Sequence, residues 1–133
     1  MKTRLSLAAV ALALAIGVAS LSAHHSLTVE FDITKTVTIS GVITEMKWTN
    51  PHAWLYIDVK DEKGQVQNWA VEFASPNSLY RRGWRQTDLP PKSAITITGY
   101  PSRDNSRTMT STDVKLPDGR TLFGGTPTDG TNK

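Results

Sequence analysis

The first two predicted strands are joined by the segment Trp48-Thr49-Asn50-Pro51-His52-Ala53-Trp54. Proline has no N–H for a strand ladder and Asn-Pro favours a turn, so one strand ends here before the next begins. Residues 53–59 then alternate apolar and polar side chains, which is the period of a half-buried strand. The preceding stretch 36–48 is rich in Val, Ile and Thr and is predicted to be a strand. Gly41 marks a bulge or sharp bend within it.

The rest of the chain contains one short helix between further strands. Polar residues 61–64 include a glycine and predict a hairpin turn that leads into a third strand over 69–73. Ser75-Pro76-Asn77 combines a capping serine with a proline at the first helical position, and Gly83 stops the helix near Arg82. Two later strands are predicted over 95–99 and 109–116, with a short closing pairing at 122–123.

This order of elements predicts a mainly β protein. Three strands, a short helix and two strands form the pattern of a small five-stranded OB-like barrel, with the helix between strands 3 and 4. An immunoglobulin-like sandwich is the alternative, but it needs about seven strands and no helix. In an OB-fold the strand 1–2 and strand 4–5 loops flank the binding face. These loops are predicted at 49–52 and 101–107.

The chain begins with the pattern of a cleaved export signal. Lys2 and Arg4 precede a largely apolar run over 5–19, and small residues follow up to Ala23. The run is short for a membrane span, which needs about 20 residues, although an uncleaved anchor is the alternative. We therefore expect residues 1–23 to be removed, a domain over 24–123, a disordered tail over 124–133, and a periplasmic or secreted protein without stable membrane insertion after cleavage. Cleavage after Ala19 competes with cleavage after Ala23.

Cleavage after Ala23 would make His24 the first residue of the mature chain. The alternation of apolar and polar residues over 27–33 predicts a strand or extended arm that fixes the position of His24 and His25. The α-amine and ring nitrogen of a terminal histidine can chelate one metal. His52, the third of the three histidines in the chain, could supply a further imidazole. Nitrogen ligands in a tetragonal arrangement suit Cu(II), so the predicted metal ligands are His24, His25 and His52.

Other interpretations of these residues remain open. The two leading histidines are equally consistent with a solvated chain end, and His52 with a hydrogen bond in the turn. Trp48, Asn50 and Trp54 are candidate ligand-binding residues for a metal-independent adaptor that takes a peptide, a glycan or an exported partner protein. Tryptophans are more often part of a core, because each buries a large area.

Composition excludes several functions. The chain has no cysteine, which rules out disulfides and thiolate metal sites. Loss of Lys2 and Arg4 would lower the formal charge from +3 to about +1, which argues against nucleic-acid binding. The arginines near the helix end complement the helix dipole. No activated nucleophile is identified, so a non-enzymatic binding module is favoured over a copper oxidoreductase built on the same ligands.

The chain resembles a family of small exported bacterial proteins grouped as a domain of unknown function, from His24 to about Phe123. The resemblance implies export and a small β-rich domain, but no activity. The motifs that carry it are His24-His25-Ser26, Gly41-Val42, residues 48–54, Trp69, Ser75-Pro76-Asn77, Arg82-Gly83-Trp84 and Leu116-Pro117-Asp118-Gly119-Arg120.

Overall fold

The computed structural model describes residues 26–125. The expected signal peptide over 1–23, the two histidines at 24 and 25, and residues 126–133 lie outside this range. None of the helices between residues 26 and 125 has the length and apolar character to cross a membrane.

Six strands and two short α-helices make up the described chain. A 3-10 turn, Gln86–Asp88, follows the second helix. The elements are α1 (Ser26–Glu30), β1 (Val37–Lys47), β2 (Trp54–Lys60), β3 (Val66–Glu72), α2 (Pro76–Arg81), β4 (Ala94–Pro101), β5 (Thr108–Lys115) and β6 (Thr121–Phe123).

The sheet closes into an OB-like barrel. The strand order is β3-β2-β1-β4-β5-β6, and a parallel pairing between β3 and β5 closes the first five strands into a ring. The remaining neighbours pair antiparallel. The expected OB-like fold is therefore confirmed, with β6 as an extra strand on the edge of β5.

β1 is long because it serves two neighbours. Its first half pairs with β4 and its second half pairs with β2. The register shifts between Ile43 and Glu45, so the predicted irregularity exists but lies beyond Gly41. Glycine is required at position 41 for another reason, since a Cβ there would collide with the carbonyl oxygen of Asp58.

The prediction of a strand or extended arm over 27–33 was wrong for its first part. Residues 26–30 form α1, and Phe31 alone makes a bridge, to Ser102. The alternating pattern misled because only one of its apolar residues is buried. Phe31 is 2% exposed, whereas Val29 is 69% exposed.

The helix after β3 buries Pro76 and Leu79. Ser75 caps α2 and Gly83, at φ 94°, ends it. Trp84 then folds back and is fully buried in an edge-to-face contact with Phe73. Gly124 and Gly125, which follow β6, are also buried.

Replacing Gly41 with alanine should destabilise the fold by about 1–3 kcal/mol, because the new methyl group overpacks against the β2 backbone. The measurement is the free energy of unfolding in urea. Glu45→Ala, at an exposed position of the same strand, should change that free energy by no more than about 0.5 kcal/mol. Equal changes in the free energy of unfolding for the two substitutions would contradict the close approach of Gly41 to the carbonyl of Asp58.

Candidate functional site

The β1–β2 connection contains the candidate residues that the structure describes. His52 is half-buried there and Asn50 is exposed. Trp48 packs against the core, whereas Trp54 is not part of that packing. Trp54 lies between the buried Ala53 and Leu55, so alternation along the strand directs it to the outer face. The two indoles therefore lie on different faces of the sheet.

Backbone hydrogen bonds fix His52 beside the end of β3. The N–H of Phe73 donates to the carbonyl of Ala53 at 2.9 Å, and the N–H of Ala53 donates to the carbonyl of Ala74 at 3.2 Å. Thr49 Oγ1 donates to the carbonyl of His52 at 3.3 Å. The turn is therefore held on both sides, and the His52 side chain lies next to the last residue of β3.

That last residue is Glu72, and its carboxylate contacts the imidazole of His52. Glu72 Oε1 faces His52 Nδ1. Glu72 is only 7% exposed although it lies on the outer face of β3, between Trp54 of β2 and Thr110 of β5. Because Nδ1 is engaged with the carboxylate, Nε2 is the ring nitrogen left to bind a ligand.

Burial dominates the electrostatics of Glu72. It raises the pKa of Glu72 above the ordinary value, and the negative charge of Glu30 raises that pKa further. The charge of His52 and its hydrogen bond to the carboxylate act in the opposite direction. The ionised form of Glu72 is thus stabilised by His52 and destabilised by Glu30.

Glu30 is near this site because α1 is anchored on the β4–β5 connection. The backbone N–H of Arg103 donates to the carbonyl of Glu30 at 2.9 Å, and Arg103 Nε donates to the carbonyl of Thr28 at 2.8 Å. The N–H of Asp32 donates to the carbonyl of Pro101 at 2.9 Å. The two bonds from Arg103 satisfy carbonyls at the end of the short helix, and all three bonds hold the helix against the barrel.

Glu72 was not identified as a site residue from the sequence. The position is outward, but the parallel neighbour β5 and the adjoining turn bury it. The sequence contained one signal that could have identified Glu72. In an antiparallel hairpin the last residue of β3 lies opposite the first residue of β2, and that residue is next to the β1–β2 connection that contains His52. Among residues 26–125 no three His, Asp or Glu side chains come together as a metal site.

The fold and this site define a small OB-like β-barrel protein with a histidine–carboxylate pair beside its first loop. The chain belongs to DUF6152, a family of unknown function whose model matches residues 11–111. This match confirms the resemblance that the sequence motifs indicated.

No curated protein matches the sequence. Among solved structures, the chain is similar to a mitochondrial single-stranded DNA binding protein from S. cerevisiae, with 14% identity and a TM-score of 0.43. The similarity covers 68% of this chain and 97% of that chain.

The pKa of Glu72, measured by NMR of its carboxyl carbon, should lie above 4.5. His52→Ala should raise the pKa because it removes a favourable partner, and Glu30→Gln should lower it because it removes a negative charge. Shifts of the same sign in both variants would contradict the described geometry.

The same pKa predicts a pH dependence of stability. Because the folded-state pKa of this acid is raised, its contribution is fully present below pH 4.5 and is lost as pH rises through the folded-state pKa. Between pH 4.5 and the folded-state pKa, the free energy of unfolding of the wild type should therefore fall relative to that of Glu72→Gln. A constant difference from acid to neutral pH would contradict the raised pKa.

Proposed function

We propose that the chain is an exported, non-enzymatic OB-like binding module that holds Cu(II) or a similar divalent ion through His24, His25 and His52. The observation that carries the proposal is the contact between the buried Glu72 carboxylate and Nδ1 of His52. Metal-binding histidines commonly donate their second ring N–H to a carboxylate, which fixes the tautomer and the orientation of the ring. Glu72 would act on His52 in this way and direct Nε2 toward the ion.

The path of the chain before the barrel supports a contribution from residues 24 and 25. α1 begins at Ser26, directly after these histidines, and ends at Glu30, whose charge acts on Glu72. A five-residue helix is about 7.5 Å long. Ser26, the first described residue, therefore lies within about 7.5 Å of Glu30. It lies on the side of the barrel where α1 is anchored.

Export and cleavage after Ala23 are part of the proposal. In the precursor the nitrogen of residue 24 belongs to a peptide bond, whereas in the mature chain it is an amine that can chelate together with the imidazole. A second imidazole would complete a nitrogen set suited to Cu(II). All these ligands must be unprotonated, so metal affinity should fall in acid.

A second candidate function is a metal-independent adaptor for a peptide, a glycan or an exported partner protein. The observation in its favour is the outward position of Trp54, whose side chain is partly exposed in the same segment as the exposed Asn50. Trp48 contributes less to such a surface because it packs against the core. Partner capture that survives Trp54→Ala would count against this function.

Cu(II) should bind tightly to the mature protein that begins at His24, with nitrogen hyperfine structure in its electron paramagnetic resonance spectrum. Acetylation of the His24 amine is the matched control, since it removes that nitrogen as a ligand and retains every imidazole. Equal affinity of the two proteins would reject the terminal site.

His52→Ala should weaken Cu(II) binding, because it removes one nitrogen ligand. Glu72→Gln should weaken it by about 10–100-fold, since partners that orient a ligand commonly contribute that much. Asp58→Asn removes a carboxylate from the outer face of β2 and should leave the affinity unchanged. Unchanged binding in His52→Ala would remove this residue from the site.

A further inference from the structure

A cleft lies on the barrel, outside the β1–β2 connection. It has a volume of about 500 Å³ and lies between β3, the segment that follows α1, and the β4–β5 connection. Its lining includes Trp69, residues 32 and 35, and parts of 101–106. None of the residues 48–54 lines it. The volume is within the range of small-ligand sites, and neither proposed function uses this cleft.

Trp69 supplies a rigid aromatic surface to the cleft. It pairs with Ile57 on β2 and packs partly against the core. The indole is nevertheless half-exposed, and the cleft is where it meets solvent. A ring that is already held by core packing loses little freedom when a ligand stacks on it.

The charged groups around the cleft are largely satisfied by one another. Asp32 forms an ion pair with Lys35 at 3.1 Å and accepts a hydrogen bond from the Thr34 hydroxyl at 2.6 Å, which lowers the pKa of Asp32 to about 2. Asp104 likewise accepts from the hydroxyl of Ser102 and from the N–H of Ser106. The cleft therefore has little unpaired charge to offer.

Neutral hydrogen-bonding groups complete the lining. Asn105 adopts a left-handed backbone at φ 59°, a conformation that asparagine tolerates better than most residues. Its carboxamide can donate and accept at once, as can the Ser106 hydroxyl. The hydroxyl groups of a sugar also donate and accept, so these two side chains are chemically matched to them.

We propose that this cleft binds a neutral oligosaccharide, with one sugar ring stacked on Trp69 and its hydroxyls bonded to Asn105 and Ser106. An aromatic platform beside neutral polar groups suits a ligand with one apolar face and a polar edge. Single-stranded nucleic acid also stacks on aromatic rings, but its affinity depends on a positively charged groove. Here Lys35 is paired with Asp32, and Arg103, the other basic residue of the lining, donates its Nε to the carbonyl of Thr28. The lining does not form a positively charged groove, so the sugar is the better match.

The test is an NMR titration of ¹⁵N-labelled protein with chitotetraose, cellotetraose and maltotetraose at millimolar concentrations. A chelator is present throughout, so that the outcome is independent of metal binding. At least one sugar should shift the Trp69 indole N–H and the Asn105 carboxamide and leave the Trp48 indole unchanged. The Trp69 resonance is assigned from its loss in Trp69→Phe.

Variants decide whether the cleft is the site. Trp69→Ala and Asn105→Gly should each weaken sugar binding about fivefold or more, in the range of aromatic-pair energies. Glycine accepts the left-handed backbone of position 105, so Asn105→Gly removes the carboxamide without strain. This variant keeps the test decisive if Trp69→Ala fails to fold. Tyr80→Ala removes an exposed aromatic side chain that does not line the cleft, so it is the matched control and should retain affinity.

Three results would overturn the proposal. The first is the absence of shifts with all three sugars. The second is equal sugar affinity in the wild type and in both cleft variants. The third is binding of a thymidine oligonucleotide, but of none of the sugars, at Trp69, which would assign the cleft to nucleic acid.

Discussion

The parallel pairing of β3 with β5 is the constraint on which the rest of the structure depends. It joins three residue pairs between strands that are distant in sequence, and it turns an open sheet into a barrel. The same pairing places Thr110 beside Glu72 and so buries the carboxylate that contacts His52. It also brings the β4–β5 connection next to Trp69, where the oligosaccharide cleft lies, and gives α1 its anchor. Both candidate sites are therefore products of barrel closure.

Most of the fold could be predicted from the sequence because the strands are amphipathic. Residues 53–59 alternate cleanly, and the structure buries the side chains of Leu55 and Ile57 as that pattern requires. The serine cap, the proline and the glycine around α2 also act locally, so their meaning does not depend on tertiary context. α1 could not be predicted in this way, because its position depends on hydrogen bonds to a loop some 70 residues further along the chain.

The candidate site was only partly predictable for the same reason. His52 was identified from its chemistry and from its position in a proline turn. Glu72 was not identified, because alternation specifies which face of a strand a side chain occupies but not whether another element covers that face. The cleft beside Trp69 was equally hidden. The β4–β5 loop was recognised as a flank of the binding face, but its contact with β3 follows from the parallel register.

The closing hydrogen bonds near the carboxyl end have a consequence for how the domain is made. The Trp84 indole donates to the carbonyl of Phe123 at 2.9 Å, and the N–H of Ala74 donates to the carbonyl of Gly124 at 2.9 Å. The indole N–H of Trp84 and the backbone N–H of Ala74 therefore find their hydrogen-bond acceptors only in the last three described residues. During synthesis, β3 has no parallel partner until residues 108–110 emerge from the ribosome. The nascent polypeptide must therefore remain incompletely folded until nearly all of the domain has been translated.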